Sequence, residues 1–188
     1  YRDNAEVALP ILQARGLPAV VFLTTDHIGS ACPLYWDLAA YCFHHTQRNG
    51  ADFPLLGRRV WQDASTRDAC VNEWLRSLKQ VTDDERRTAV ERLPGLLDVR
   101  IPKSAFEGVY ATWDEVRAMT MGGMEMGAHT RTHPILPRVS VARAWEEIEG
   151  SKSRVEEETG QPVTTFAYPN GRRGDFGKQT QDLLREAG

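Results

Sequence analysis

Residues 124–137 read MEMGAHTRTHPILP. The first half of this stretch, "MEMGAH", is a short apolar run of the kind that forms a strand, and it ends on His129. His133 comes four residues later, against Pro134, whose missing amide stops an ordinary helix from continuing back through the turn. Gly127 and Ala128 are small enough to let neighbouring backbone come close, and Thr130 and Thr132 can bond the local main chain and hold a turn. Such a turn can bring both imidazoles to one side. Neutral imidazole binds zinc and related divalent ions, and two of them with one carboxylate leave positions open for water and substrate. On residue spacing alone, two packed histidines are the somewhat better reading, and the place at the carboxyl end of a strand brings the ligand reading level with it.

Working outward, the chain has the rhythm of an α/β protein. Val7, Ile11 and Leu12 follow helical spacing between Asn4 and Arg15, with Gly16 as a stop and Pro10 as an awkward interior residue. Residues 17–25, "LPAVVFLTT", form a continuous β-branched and aromatic run, as expected of a strand covered on both faces. Residues 31–104 differ in character. "LYWDLAAYCFHHTQ" has helical periodicity, and Ser65 with Asp68 and Thr82 with Glu85 have capping-box spacing, so this stretch is expected to be a helical insertion. After it, Thr112 and Glu115 open a helix, Ser140 caps a longer one that ends at Gly160, "VTTFAY" is expected to be a strand, and "DFGKQTQDLLREAG" begins a last helix.

Composition narrows the function classes. A net charge of -3 with no concentrated basic patch excludes an electrostatic grip on nucleic acid. No run approaches the roughly 18 apolar residues that a transmembrane helix needs. Cys32, Cys42 and Cys70 are odd in number and widely spaced, which suits neither a disulfide framework nor a metal clip. They leave the compartment open. His27, His44 and His45 read as ordinary surface or packed histidines.

"GAHTRTHPIL", with "TWDEVRAM" before it and "FAYPNG" after it, resembles the polysaccharide deacetylase (NodB-homology) family of carbohydrate esterases. The start, "YRDNAEVALPILQARGLPAVVFL", is similar to the segment just after the family's first motif. The resemblance covers residues 1–30 and 105–188, with "LYWD" similar to a segment of members that carry a long insert. It implies one domain over residues 1–188, an incomplete distorted (β/α) barrel of the NodB-homology type with a helical insertion at about 31–104. It further implies a divalent metal, most often zinc, held by two histidines that map onto His129 and His133. The implied reaction removes acetyl groups from the N- or O-acetylated sugars of a polysaccharide. The backbone amide of Asn170 would serve the oxyanion, in a turn shaped by Tyr168 and Pro169.

The departures from the family pattern also carry expectations. The acidic pair that supplies the base and third ligand falls before Tyr1, and a leucine-histidine motif falls beyond Gly188. Asp3 lies after the first motif and is not a ligand candidate, and Ala167 stands where many members have arginine. These 188 residues alone are therefore expected to be weak or inactive as a catalyst, and marginally stable or self-associating. Two other readings stay open. One is a non-catalytic relative that binds glycan. The other is a barrel metallohydrolase acting on a small amide, which a closed pocket would favour. Exposed aromatics along a groove, with Trp36, Trp61 and Tyr110 as candidates, would favour a polymer.

Overall fold

The first helix changes pitch part-way. Asn4–Ala8 is wound as a π-helix, with the Leu9 amide donating to the Asn4 carbonyl five residues back, and the α-helix α1 takes over at Leu9–Arg15. Pro10 explains the change. Its ring would clash with a carbonyl four residues earlier, and the wider turn gives it room. Gly16, at φ 62°, ends the helix in the left-handed conformation that glycine takes without strain. Strand β1 comes next, at Val20–Leu23. The computed structural model describes all 188 residues and divides them into two compact units, Tyr1–Cys32 with Phe106–Gly188, and Pro33–Ala105.

The second unit is continuous in sequence. It contains α2 (Tyr35–His45), strands β2 (Gly50–Phe53) and β3 (Gly57–Val60), α3 (Ala64–Ser77) and α4 (Asp83–Leu96). The expectation of an all-helical segment fails at the antiparallel β2–β3 hairpin. Its three-residue loop is a turn closed by the Leu56 amide on the Phe53 carbonyl, with Gly57 after it at φ 70°. Arg59 ties the hairpin to α3 through a two-pronged ion pair with Glu73, at 2.7 and 2.9 Å. Thr82 and Glu85 form the expected capping box on α4. On α3 the expected Ser65–Asp68 box gives way to Asp63 with Thr66, two residues earlier. Asp63 has the extended backbone a cap needs, whereas Ser65 already lies within the helix. Trp74, Phe43, Phe53, Leu78, Leu93 and Leu97 fill the core of this unit.

The chain then completes the first unit with α5 (Trp113–Met121), β4 (Glu125–Ala128), α6 (Val141–Thr159) and α7 (Lys178–Ala187). Thr112 with Glu115 caps α5, and Ser140 caps α6, as expected. Strand β4 lies parallel to β1, with Leu23 opposite Ala128. The expected third strand, "VTTFAY", meets β4 at one position only. The Ala128 amide donates to the Thr165 carbonyl, and the Ala167 amide donates back to the Ala128 carbonyl. The result is a mixed helix and strand fold with a two-stranded parallel sheet and no closed barrel. Val21, Leu23, Val116, Met119, Met126, Ala128 and Val155 form its core, and a satellite cluster joins Leu136, Ala144 and Ile148 to Leu183 and Leu184 of α7. No helix is long and apolar enough to cross a membrane.

Candidate active site

The site is built where the two parallel strands end. The His129 amide donates to the Leu23 carbonyl, so the residue leaves β4 still tied to the tip of β1. One step further, the amides of Thr25 and Asp26 donate to the carbonyls of Thr130 and Arg131. Loops at the carboxyl ends of parallel strands are where α/β folds place their chemistry. Gly127 is required for the approach, though by side chains and not by backbone. A Cβ there would come within 2.5 Å of the Phe22 ring and 2.8 Å of the Thr165 hydroxyl.

His129 and His133 come together with ring centroids 4.7 Å apart and planes nearly perpendicular, at 81°. His129 is half-buried and His133 buried. A carbonyl can only accept, so the 2.7 Å contact between His129 Nδ1 and the Ala167 oxygen places the proton on Nδ1 and leaves the Nε2 lone pair free. Burial pushes the His129 pKa below its ordinary value, and the Ala167 hydrogen bond offsets part of that effect. The ring is neutral at neutral pH, as a metal ligand must be.

The turn between the histidines is strained. Thr130 and His133 have φ of 65° and 60°, and such left-handed conformations cost a residue with a Cβ about 1–2 kcal/mol each. The Thr130 hydroxyl accepts from the His133 amide and donates to the His129 carbonyl. Glu147 of α6 supplies the rest. It is fully buried and accepts from the amides of Arg131 and Thr132, at 2.7 and 2.8 Å, and from the Thr132 hydroxyl at 2.6 Å. Arg143 closes an ion pair on it at 2.6 Å. Arg131 is itself held by Asp26 in a two-pronged contact at 3.1 Å.

The third part of the site is the segment after Ala167. Tyr168 packs edge-on against Phe166 and stacks on Phe176, with centroids 5.6 and 4.9 Å away. Pro169 is buried. Asn170 has φ 62°, its backbone N–H makes no hydrogen bond within the chain, and its Nδ2 is buried without a partner. The other histidines and aromatics lie elsewhere. His27 is satisfied by the Cys32 carbonyl and His45 by the Tyr41 carbonyl. Trp61 and Tyr110 are buried and present no groove surface, while Trp36 is half-buried. Asp3 is exposed.

No cluster of three histidine, cysteine or acidic side chains forms around the pair. The pair itself fits a divalent ion by its chemistry, with two imidazoles converging and one of them oriented through its second nitrogen, the usual arrangement of a metal-binding histidine. The sequence reading missed Glu147. Its signal lay in the buried stripe of α6, where Ala144, Glu147, Ser151 and Val155 succeed one another at three- and four-residue steps.

Similarity to known proteins is consistent in kind. A polysaccharide deacetylase from Bacillus cereus, BC0361, is 28% identical over 42% of this chain and 23% of its own, with a TM-score of 0.37. The chain thus spans under a quarter of that relative. The Streptococcus pyogenes deacetylase PplD, solved in complex with acetate, is 15% identical over 90% of this chain and 77% of its own, with a TM-score of 0.39. No curated protein matches. The profile of the polysaccharide deacetylase family matches residues 1–188 from end to end, and the chain belongs to that family.

Proposed function

We propose that the protein is a metal-dependent hydrolase that removes acetyl groups from N- or O-acetylated sugars of a polysaccharide. The supporting observation is the pair of converging imidazoles, with His129 Nδ1 committed to the Ala167 carbonyl so that Nε2 faces away with its lone pair free. His129 and His133 would hold the ion, with zinc as the leading candidate among the divalent ions that imidazole suits. When bound, a divalent ion polarises the acetyl carbonyl and makes water more acidic. The chain's own residues do the rest. The Asn170 amide, free of any partner in the chain, offers a donor to the oxygen on which charge develops. Tyr168 and Pro169 shape the turn that presents it. One domain would span residues 1–188 as part of a distorted (β/α) barrel, its barrel segments at 1–30 and 105–188 and an insertion at about 31–104.

A second reading has one observation in its favour. The two histidines join no larger cluster of histidine, cysteine or acidic groups that could hold a metal, and a non-catalytic relative would bind glycan without turning it over. Acetate release from N-acetylglucosamine oligomers and acetylated xylan decides the matter, measured before chelation, after it, and after zinc is returned. Release is expected to be weak, to fall on chelation and to return with zinc. Release that ignores the chelator would sink the metal role, and glycan binding with no acetate would assign the non-catalytic reading. Turnover of small amides alone would point to a different metallohydrolase.

A further inference from the structure

Glu147 belongs to the helix behind the histidine turn, and its four contacts divide cleanly between its two oxygens. Oε2 accepts from the backbone amides of Arg131 and Thr132, while Oε1 accepts from the Thr132 hydroxyl and faces the Arg143 guanidinium. Every partner can donate, so the site suits a group that accepts at both ends, as a carboxylate does. Its burial is complete, and a buried polar group is tolerated in a protein when it is this fully satisfied.

The two amides it holds are those of residues 131 and 132, and the residues on either side, Thr130 and His133, are the two in left-handed conformation. A turn with two strained residues does not keep that shape unaided. We infer that Glu147 is a positioning residue for the metal site, fixing the strained turn that sets His133 against His129. This rests on the metal reading proposed above. In this role Glu147 touches no substrate and transfers no proton.

The test uses zinc affinity, read by competition with a chromophoric chelator, alongside thermal unfolding in the absence of metal. Wild-type protein that takes up no zinc would overturn the metal reading, and this inference with it. Given uptake, Glu147→Gln puts an amide nitrogen where one set of donors needs an oxygen. The expected result is a zinc affinity weakened about 10–100-fold in protein that still folds, the usual cost of losing a ligand-orienting partner. A folded Glu147→Gln variant with wild-type zinc affinity would reduce Glu147 to a stability role and overturn the inference. Should that variant fail to fold, Thr132→Val removes one donor to Oε1 and keeps the carboxylate and both backbone contacts. A several-fold weaker affinity then supports the inference, and an unchanged one overturns it.

Discussion

The two units of the chain are assembled on different principles. Residues 33–105 form a unit of local parts, with α3 and α4 each opened by its own capping box, a hairpin with a three-residue loop, and a core led by Trp74, Phe43 and Phe53. Its buried polar residues are Thr46 and Arg86. The unit that carries the histidines buries Thr24, Thr25, His27, Thr130, His133, Glu147, Ser151 and Thr180. Of the four non-glycine residues with positive φ it also holds Thr130, His133 and Asn170. The fourth, Asp98, stands just past the end of α4 in the locally built unit, where a left-handed residue is routine. Two of these left-handed residues and the buried Glu147 that braces them meet at one histidine turn. A scaffold selected for stability alone would spread them or remove them, so their concentration marks where stability has been given up for geometry.

Mutation can break this comparison. Trp74 is fully buried in the locally built unit, and Trp74→Ala is expected to lower stability by about 3–5 kcal/mol in denaturant unfolding, with zinc affinity of the folded protein unchanged. Weaker zinc binding in that variant would show that the contrast between the units does not hold. His133→Asn works the other way. Asparagine tolerates the left-handed conformation, so stability is expected to stay close to wild type. Zinc affinity should fall further than the roughly 10–100-fold cost of losing an outer partner, because a ligand itself is gone. Retained affinity in the titration would remove His133 from the site.

The smallest effect is a difference in acid sensitivity of the metal-free protein. Burial lowers the His129 pKa, so the unfolded chain binds that proton more readily. The stability its neutral ring contributes is complete above the ordinary value of 6.5 and is lost as pH falls below it. In the other unit Glu85 is held low by hydrogen bonds from Thr82, so its contribution is present above its ordinary value of 4.5 and lost only below that. Between these values, hydrogen exchange is expected to quicken at residues 127–133 and to stay unchanged at residues 83–90. Equal responses would erase the distinction.

Much of this was legible in the sequence where the cause is local. The boxes at Thr82 and Thr112, the cap at Ser140 and the stop at Gly160 all depend on residues three or four apart, and each formed as read. The hairpin escaped because "GADF" and "GRRV" lack β-branched alternation, and its signal lay in Pro54 within the turn and Gly57 just after it. The "VTTFAY" segment has strand composition, yet pairing is decided by what lies beside it, and only Ala128 reaches it. At the site, the spacing of His129 and His133 pointed to the pair, but not to its supports. Glu147 reads as one acid in a charged helix until the phase of the buried stripe is traced, and the Ala167 carbonyl carries no side-chain signature at all.

The parallel pairing of β1 with β4 has a consequence for synthesis. Leu23 and Ala128 lie opposite one another in the sheet, with the whole of the second unit between them in the chain. Emerging from a ribosome at about 5–20 residues per second, β1 waits some 5–20 s for its partner, with its hydrogen-bonding edges open. Most of the residues made during that interval are those of the second compact unit, continuous in sequence. Ordering the chain in this way lets that unit be complete before β4, the strand that leads into the histidine turn, reaches β1.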